Sequence, residues 1–211
     1  MINKGIIFDL DGTLWDSTKE VVTSWNIALD KCDDIDFKIT VEDMSNLMGK
    51  TIDEITYIIF PNVSKQRAEE IMKKCVNEED TYIRKHGGVL FPDLEEALKK
   101  LSQNYKLYIV SNCQEGYIEA FFEYHKLGKY FLDFENAGRT KQSKGENIKL
   151  LIGRNDLDKA VYVGDTQGDY EACKLAGIPF IHAKYGFGKV NEETNYINTI
   201  SELPEIISKL L

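Results

Sequence analysis

Three short apolar runs punctuate the chain, and each stops abruptly at polar residues: Gly5–Leu10 at Asp9 and Asp11, Leu107–Val110 at Ser111-Asn112, and Ala160–Val163 at Gly164-Asp165. A fourth, Ile178–Ile181, has the same character and ends at His182. Runs this short, rich in β-branched and aromatic residues and flanked by polar turns, predict buried strands rather than helices. Elsewhere the apolar period lengthens to that of a helix. Leu94, Ala97, Leu98 and Leu101 form one stripe behind Pro92-Asp93, and Ile118, Phe121, Phe122 and His125 a second. Ile148, Leu151 and Ile152 form a third, which Asn155-Asp156 ends. A further helix over 167–176 stops at Gly177, a residue suited to a left-handed C-cap. From about residue 88 onward helices and strands alternate. That rhythm predicts right-handed βαβ units in an α/β, doubly wound and mostly parallel sheet.

Residues 16–87 break the rhythm. Val21, Val22, Trp25, Ala28 and Leu29 make a helical stripe, as do Ile52, Ile55 and Ile59, and Ala68, Ile71, Met72 and Cys75. No strand is predicted between Leu14 and Val89. The organisation expected is a core of residues 1–15 and 88–211 with an all-helical insert at 16–87, returning through His86-Gly87-Gly88. An insert leaving directly after the first strand lies over the sheet's carboxyl edge, where it acts as a lid.

Composition narrows the partners. The 211 residues suit one large domain or a core carrying an insertion, and 43% hydrophobic with 29% charged residues is ordinary for a globular protein. A net charge of −9 with no basic patch argues against a nucleic-acid partner. It also repels a phosphorylated ligand at long range, so any anion site must be local: a metal, a lysine or backbone N–H groups. Cys32, Cys75, Cys113 and Cys173 show no CxxC spacing and read as reduced thiols. No signal-peptide pattern is visible at the N-terminus, and no apolar run approaches the roughly 18 residues of a membrane span. A cytoplasmic location with no membrane partner is the expectation.

The chemistry concentrates at the first strand end. Asp9 and Asp11 stand two residues apart where a buried strand stops, the edge at which α/β folds place their ligand sites. Two such carboxylates repel each other unless a cation or a proton is shared. A divalent metal and acid chemistry are therefore indicated. Gly12 supplies the tight turn that aims both side chains. Taken alone, Ser111-Asn112 reads as a helix cap, Thr166 with Asp169 as another, and Lys144, Lys141 and Lys50 as solvated lysines.

Together these segments resemble the haloacid dehalogenase superfamily of phosphohydrolases, in the branch with a helical cap after the first strand, and within it phosphoglycolate-phosphatase-like enzymes. Asp9-Leu-Asp-Gly-Thr-Leu is similar to the family's first motif, and Ser111-Asn112 to the second. Lys144 stands for the third and Gly164-Asp165-Thr-Gln-Gly-Asp169 for the fourth. The resemblance implies a Mg²⁺-dependent phosphatase acting on a small phosphorylated metabolite. Asp9 is then the nucleophile that becomes an aspartyl phosphate, and Asp11 the general acid and later base. Gly12, Thr13, Ser111 and Asn112 would hold the phosphoryl oxygens and Lys144 would neutralise their charge. Asp9, Asp165 and the Asp11 carbonyl would hold Mg²⁺, with Asp169 orienting the lysine or a metal-bound water. Substrate choice would reside in the cap, where Lys50 follows a glycine turn and suits a substrate carboxylate or second phosphate.

Some positions depart from that pattern. Gly145 stands where a proline usually follows the lysine, which keeps Lys141 as a rival, and Trp15 replaces a small aliphatic residue. His86, His125 and His182 read as structural or surface residues. Among competing readings, dehalogenation has no use for Asp11. A β-phosphoglucomutase-like enzyme would carry an acid where Gly164 stands, and a phosphonate-cleaving one would recruit a cap lysine such as Lys50. A non-catalytic phospho-acceptor of the receiver kind has no helical insert after its first strand.

Overall fold

Strict alternation in the central strands sends neighbouring side chains to opposite faces, and both faces are covered by helices. In the computed structural model, which describes residues 2–211, the order begins β1 (Lys4–Phe8), β2 (Trp15–Asp16), α1 (Thr18–Leu29), α2 (Val41–Ser45), α3 (Ile52–Ile59), α4 (Lys65–His86) and β3 (Val89–Leu90). It continues α5 (Leu94–Leu101), β4 (Lys106–Ser111), α6 (Tyr117–His125), β5 (Phe131–Asn136), α7 (Ala137–Thr140) and α8 (Lys144–Arg154). The last elements are β6 (Lys159–Gly164), α9 (Gln167–Ala176), β7 (Phe180–Ala183), β8 (Asn195–Ile197) and α10 (Leu203–Leu210). Ile6, Phe8, Leu107, Ile109, Val161 and Val163 face the core beneath α5, α6 and α10. Ile7, Tyr108, Val110 and Tyr162 face the other, beneath α8 and α9.

The six-stranded sheet runs β5-β4-β1-β6-β7-β8 with every pairing parallel. β1 is flanked by β4 and β6, so the chain builds one side of the sheet and then crosses back to build the other. Such a switch point leaves a crevice at the strands' carboxyl ends. Asp9, Ser111 and Asp165 all fall there.

Two strands of the sheet lay outside the apolar runs. β5 carries Asp133 and Glu135 on an edge, where Arg154 and Arg139 pair with them at 2.8 Å. Charged residues are common on edge strands and erase the apolar signature. β8 has three residues, too few for a pattern. The fourth strand also shifts: it spans Phe180–Ala183 and includes His182, whereas Ile178 closes the preceding helix through its N–H to the Cys173 carbonyl at 3.2 Å.

The insert is helical as expected, with α1 packed along α4. Its entry and exit pair as an antiparallel ribbon, Trp15 against Leu90 and Asp16 against Val89. At Gly88 a Cβ would fall 2.8 Å from the Asp16 carbonyl, so this ribbon needs a glycine. Among the described residues no helix is long and apolar enough to cross a membrane.

Candidate active site

Asp9 continues the β1 ladder by one residue, its N–H donating to the Val163 carbonyl at 2.8 Å. The chain then turns through Gly12 at φ +78°, where an added Cβ would sit 2.3 Å from Asp165 Oδ2. The glycine thus permits both the left-handed backbone and the close approach of two strand ends. Gly12→Ala is expected to cost about 1–2 kcal/mol from the backbone alone, seen as a lowered melting temperature. Displacement of Asp165 should reduce activity as well. An unchanged melting temperature would show that this turn tolerates a side chain.

Three carboxylates gather behind the turn. One oxygen each from Asp9, Asp165 and Asp169 lies within 4.8 Å of the others, and all three residues are buried. Lys144 is buried with them, its Nζ 2.6 Å from Asp169 Oδ1 and 3.0 Å from Asp9 Oδ1. Asp169 also closes a capping box with Thr166, and its Oδ2 accepts from the Asp165 and Thr166 N–H groups at 3.2 and 2.9 Å. It therefore caps α9 and orients the lysine at once. Lys141 is exposed at the end of α7, whereas Lys144 is the lysine brought against the carboxylates. Where the proline is missing, a Cβ at Gly145 would lie 2.7 Å from the tip of Leu175 and 3.1 Å from the Ala172 carbonyl, at the contact of α8 with α9.

The cluster carries more negative charge than it can neutralise. Burial, followed by the nearness of Asp169, pushes the Asp165 carboxyl up to about 7, against backbone N–H bonds from Phe187 and Gly188. Burial and Asp169 likewise hold Asp9 well above the usual carboxylate range, with Lys144 opposing. Asp165 Oδ1 is buried and receives no hydrogen bond, and Asp9 Oδ1 has only the Lys144 ammonium at 3.0 Å. Buried polar atoms are rarely left so. A hard, oxygen-seeking cation fits this donor set.

The Asp11 carboxylate does not join them. The indication that the Asp9 and Asp11 carboxylates share a cation is corrected here: the carboxylates that converge with Asp9 are those of Asp165 and Asp169. Asp11 Oδ1 instead accepts from Ser17 Oγ at 2.7 Å and Tyr117 OH at 3.0 Å. Burial raises its pKa against those two bonds.

On the other side of Asp9, Ser111 Oγ accepts from the Cys113 N–H at 3.4 Å, and Thr13 Oγ1 is buried without a partner. Asn112 reaches into the insert, where its Nδ2 donates to the Gly49 carbonyl at 2.8 Å. That glycine, at φ +83°, makes the turn expected to approach the site. Lys50 follows it, exposed, and lines a cavity of about 40 Å³ together with Asp9, Asp11 and Ser111.

Known proteins resemble this chain in sequence and in fold. A family profile described as "Haloacid dehalogenase-like hydrolase" matches residues 6–183. The chain belongs to that family. A phosphoglycolate phosphatase of Aquifex aeolicus is 31% identical over 201 residues, covering 89% of this chain and 88% of its own. One from Aliivibrio fischeri is 26% identical over 200 residues, covering 87% and 85%. A haloacid dehalogenase-like family hydrolase from Streptococcus pneumoniae superposes with a TM-score of 0.82 at 20% identity, covering 98% of each chain. This haloacid dehalogenase-like hydrolase is an enzyme of the phosphatase kind.

Several residues of this hydrolase's site escape motif reading. Tyr117 OH, which donates to Asp11, also lies 2.7 Å from Ser17 Oγ, and Trp15 packs edge-on against its ring at 5.6 Å. Trp15 thus sets the tyrosine that holds Asp11, which gives the unusual tryptophan a purpose. The loop Tyr185–Gly188 clasps the other side. Tyr185 OH donates to the Thr13 carbonyl at 2.8 Å, and a Cβ at Gly186 would fall 2.3 Å from the Gly12 carbonyl. A glycine-aromatic alternation after a strand was the available signal. In the insert, Glu79 on α4 is buried and lines the same cavity.

Proposed function

We propose that this hydrolase cleaves small phosphomonoesters with Mg²⁺ through an aspartyl phosphate on Asp9. The observation that carries the reading is the buried Lys144 between Asp9 and Asp169, beside an Asp165 carboxylate oxygen that lacks a donor. An Asp9 oxygen attacks phosphorus in line, and the bond from phosphorus to the ester oxygen breaks. Asp11 delivers its proton to that oxygen. Ser17 and Tyr117 both donate to Oδ1, which leaves Oδ2 for the mobile proton, and burial favours the protonated acid at the start. Water then attacks phosphorus, Asp11 takes back a proton, and phosphate leaves with Asp9 restored. Ser111, Thr13 and the backbone near Gly12 suit the phosphoryl oxygens, and Lys144 offsets their charge.

Asp9, Asp165 and the Asp11 carbonyl are the groups for Mg²⁺, which would supply positive charge to the phosphoryl group. The insert, carried on the Trp15-Asp16/Val89-Leu90 ribbon, serves as a cap over the core of residues 1–15 and 88–211. The Asn112–Gly49 hydrogen bond holds it closed. A mutase role is less well supported, because a Cβ at Gly164 would meet the Asp169 carboxyl carbon at 2.7 Å and leaves no room for an acid.

Phosphoglycolate, from the names of the relatives, is the first natural compound to assay. The reading is tested by phosphate release from p-nitrophenyl phosphate. Release should depend on added Mg²⁺ and stop with EDTA. Equal rates in EDTA, or no release with any divalent cation, would overturn it.

A further inference from the structure

The insert places a buried acid in the cavity that the phosphoryl chemistry leaves unused. Glu79 is 3% exposed and lines the cavity beside Asp11 and Tyr117. Its Oε2 accepts from the Trp25 indole N–H and its Oε1 from Gln114 Nε2 at 2.9 Å. Each carboxylate oxygen has a second lone pair to offer. A second acceptor stands nearby: Asn112 Oδ1, buried and without a donor, on a residue lining the same cavity. Much of the remaining insert wall is apolar, with Val21, Met44, Leu47, Ile52 and Ile55.

These walls set the sign of what fits beyond the phosphoryl group. A second anion there would meet a buried carboxylate and a buried amide oxygen, where like charges repel more strongly than in water. A hydroxyl could donate to one of these acceptors, and an ammonium or a pair of hydroxyls to both. Lys50 has the opposite sign, but it is exposed, and water screens its charge.

Resting on the phosphatase reading above, we infer that Glu79 determines specificity, selecting esters whose leaving group presents hydrogen-bond donors and rejecting those with a carboxylate, phosphoglycolate included. Burial pushes the Glu79 carboxyl up to about 7, against its bonds from Trp25 and Gln114, so assays at about pH 8.5 keep it ionised.

The test measures kcat/KM with Mg²⁺ for glycerol phosphate, phosphoethanolamine and phosphoglycolate. At least one of the first two should exceed phosphoglycolate by tenfold or more, as roughly expected when a buried acceptor is matched rather than opposed. Glycerol phosphate leading would identify hydroxyl recognition; phosphoethanolamine leading would identify ammonium. Glu79→Gln, which removes the charge and keeps an acceptor, should shrink that ratio about fivefold or more. A merely structural role lowers all three esters together and leaves the ratio fixed. A wild-type preference for phosphoglycolate overturns the inference, as does an unmoved ratio in the variant. Should that preference vanish in Lys50→Ala, the lysine governs the cavity instead. If Glu79→Gln does not fold, the wild-type ranking decides alone. No phosphate release from any ester, p-nitrophenyl phosphate included, removes the phosphatase reading itself.

Discussion

Asp9→Asn is expected to lower phosphate release from p-nitrophenyl phosphate by about 10⁴-fold or more, the scale seen when a covalent nucleophile is removed. The amide oxygen is neutral and cannot form the acyl phosphate that divides hydrolysis into two displacements. The folded protein should not suffer. Asp9 lies in a cluster with Asp165 and Asp169, and its carboxyl is already held well above the ordinary range by burial and Asp169. Removing that charge relieves repulsion while Lys144 keeps Asp169 at 2.6 Å. The melting temperature in EDTA should therefore be equal or higher as activity disappears. Asp11→Asn provides the contrast. It loses a proton donor rather than the nucleophile, a defect of roughly 10²–10⁴ in rate, and a phosphoenzyme should still form from an ester with a good leaving group. More than a few per cent of activity in Asp9→Asn would reassign the nucleophile.

Three of the candidate site residues were legible because each sits where a strand stops. Asp9, Ser111 and Asp165 combine a buried apolar run with a polar end, and alternation in β1, β4 and β6 carries them to one edge. Lys144 was legible only through its place in an ordered set of motifs. One lysine in a charged loop looks like another, and what separates it from Lys141 is contact with α9 residues 25 positions away. The same limit hid the groups that aim the site. Tyr117 meets Asp11 across 106 residues, Tyr185 meets Thr13 across 172, and Gln114 meets Glu79 across 35. No local period encodes such contacts. The Asp11 carboxylate shows the cost of reading spacing alone. Two acids at i and i+2 point to the same side of a strand, but β1 ends at Phe8, and the turn at Gly12 leads Asp11 away to Ser17. β5 was obscured for a different reason, its edge charges being matched by arginines from α7 and α8.

Lys144→Met should impair both activity and stability, and the pH dependence of the second separates charge from packing. The ammonium is 5% exposed, and methionine keeps most of its buried volume. Burial alone would lower the lysine pKa, but Asp169 and Asp9 raise it further than burial depresses it, so the group stays charged throughout the range assayed. Breaking a buried pair by removing one partner commonly costs about 3–5 kcal/mol. Here the loss leaves three carboxylates facing one another. Two of them, Asp9 and Asp165, have folded pKa values raised relative to the unfolded chain, Asp165 moving from 3.8 to about 7. A folded state that holds more protons than the unfolded one loses stability as pH rises between those two values. The deficit in Lys144→Met is therefore expected to be small near pH 4, to grow through pH 7, and to be largest at pH 8 in EDTA. Added Mg²⁺ should recover part of it, because a cation held by the same carboxylates replaces the missing charge. Urea unfolding at the two pH values, with and without Mg²⁺, reads all of this. A deficit independent of both pH and metal would mean that Lys144 fills space, and that the charge balance on which the phosphoryl site depends lies elsewhere.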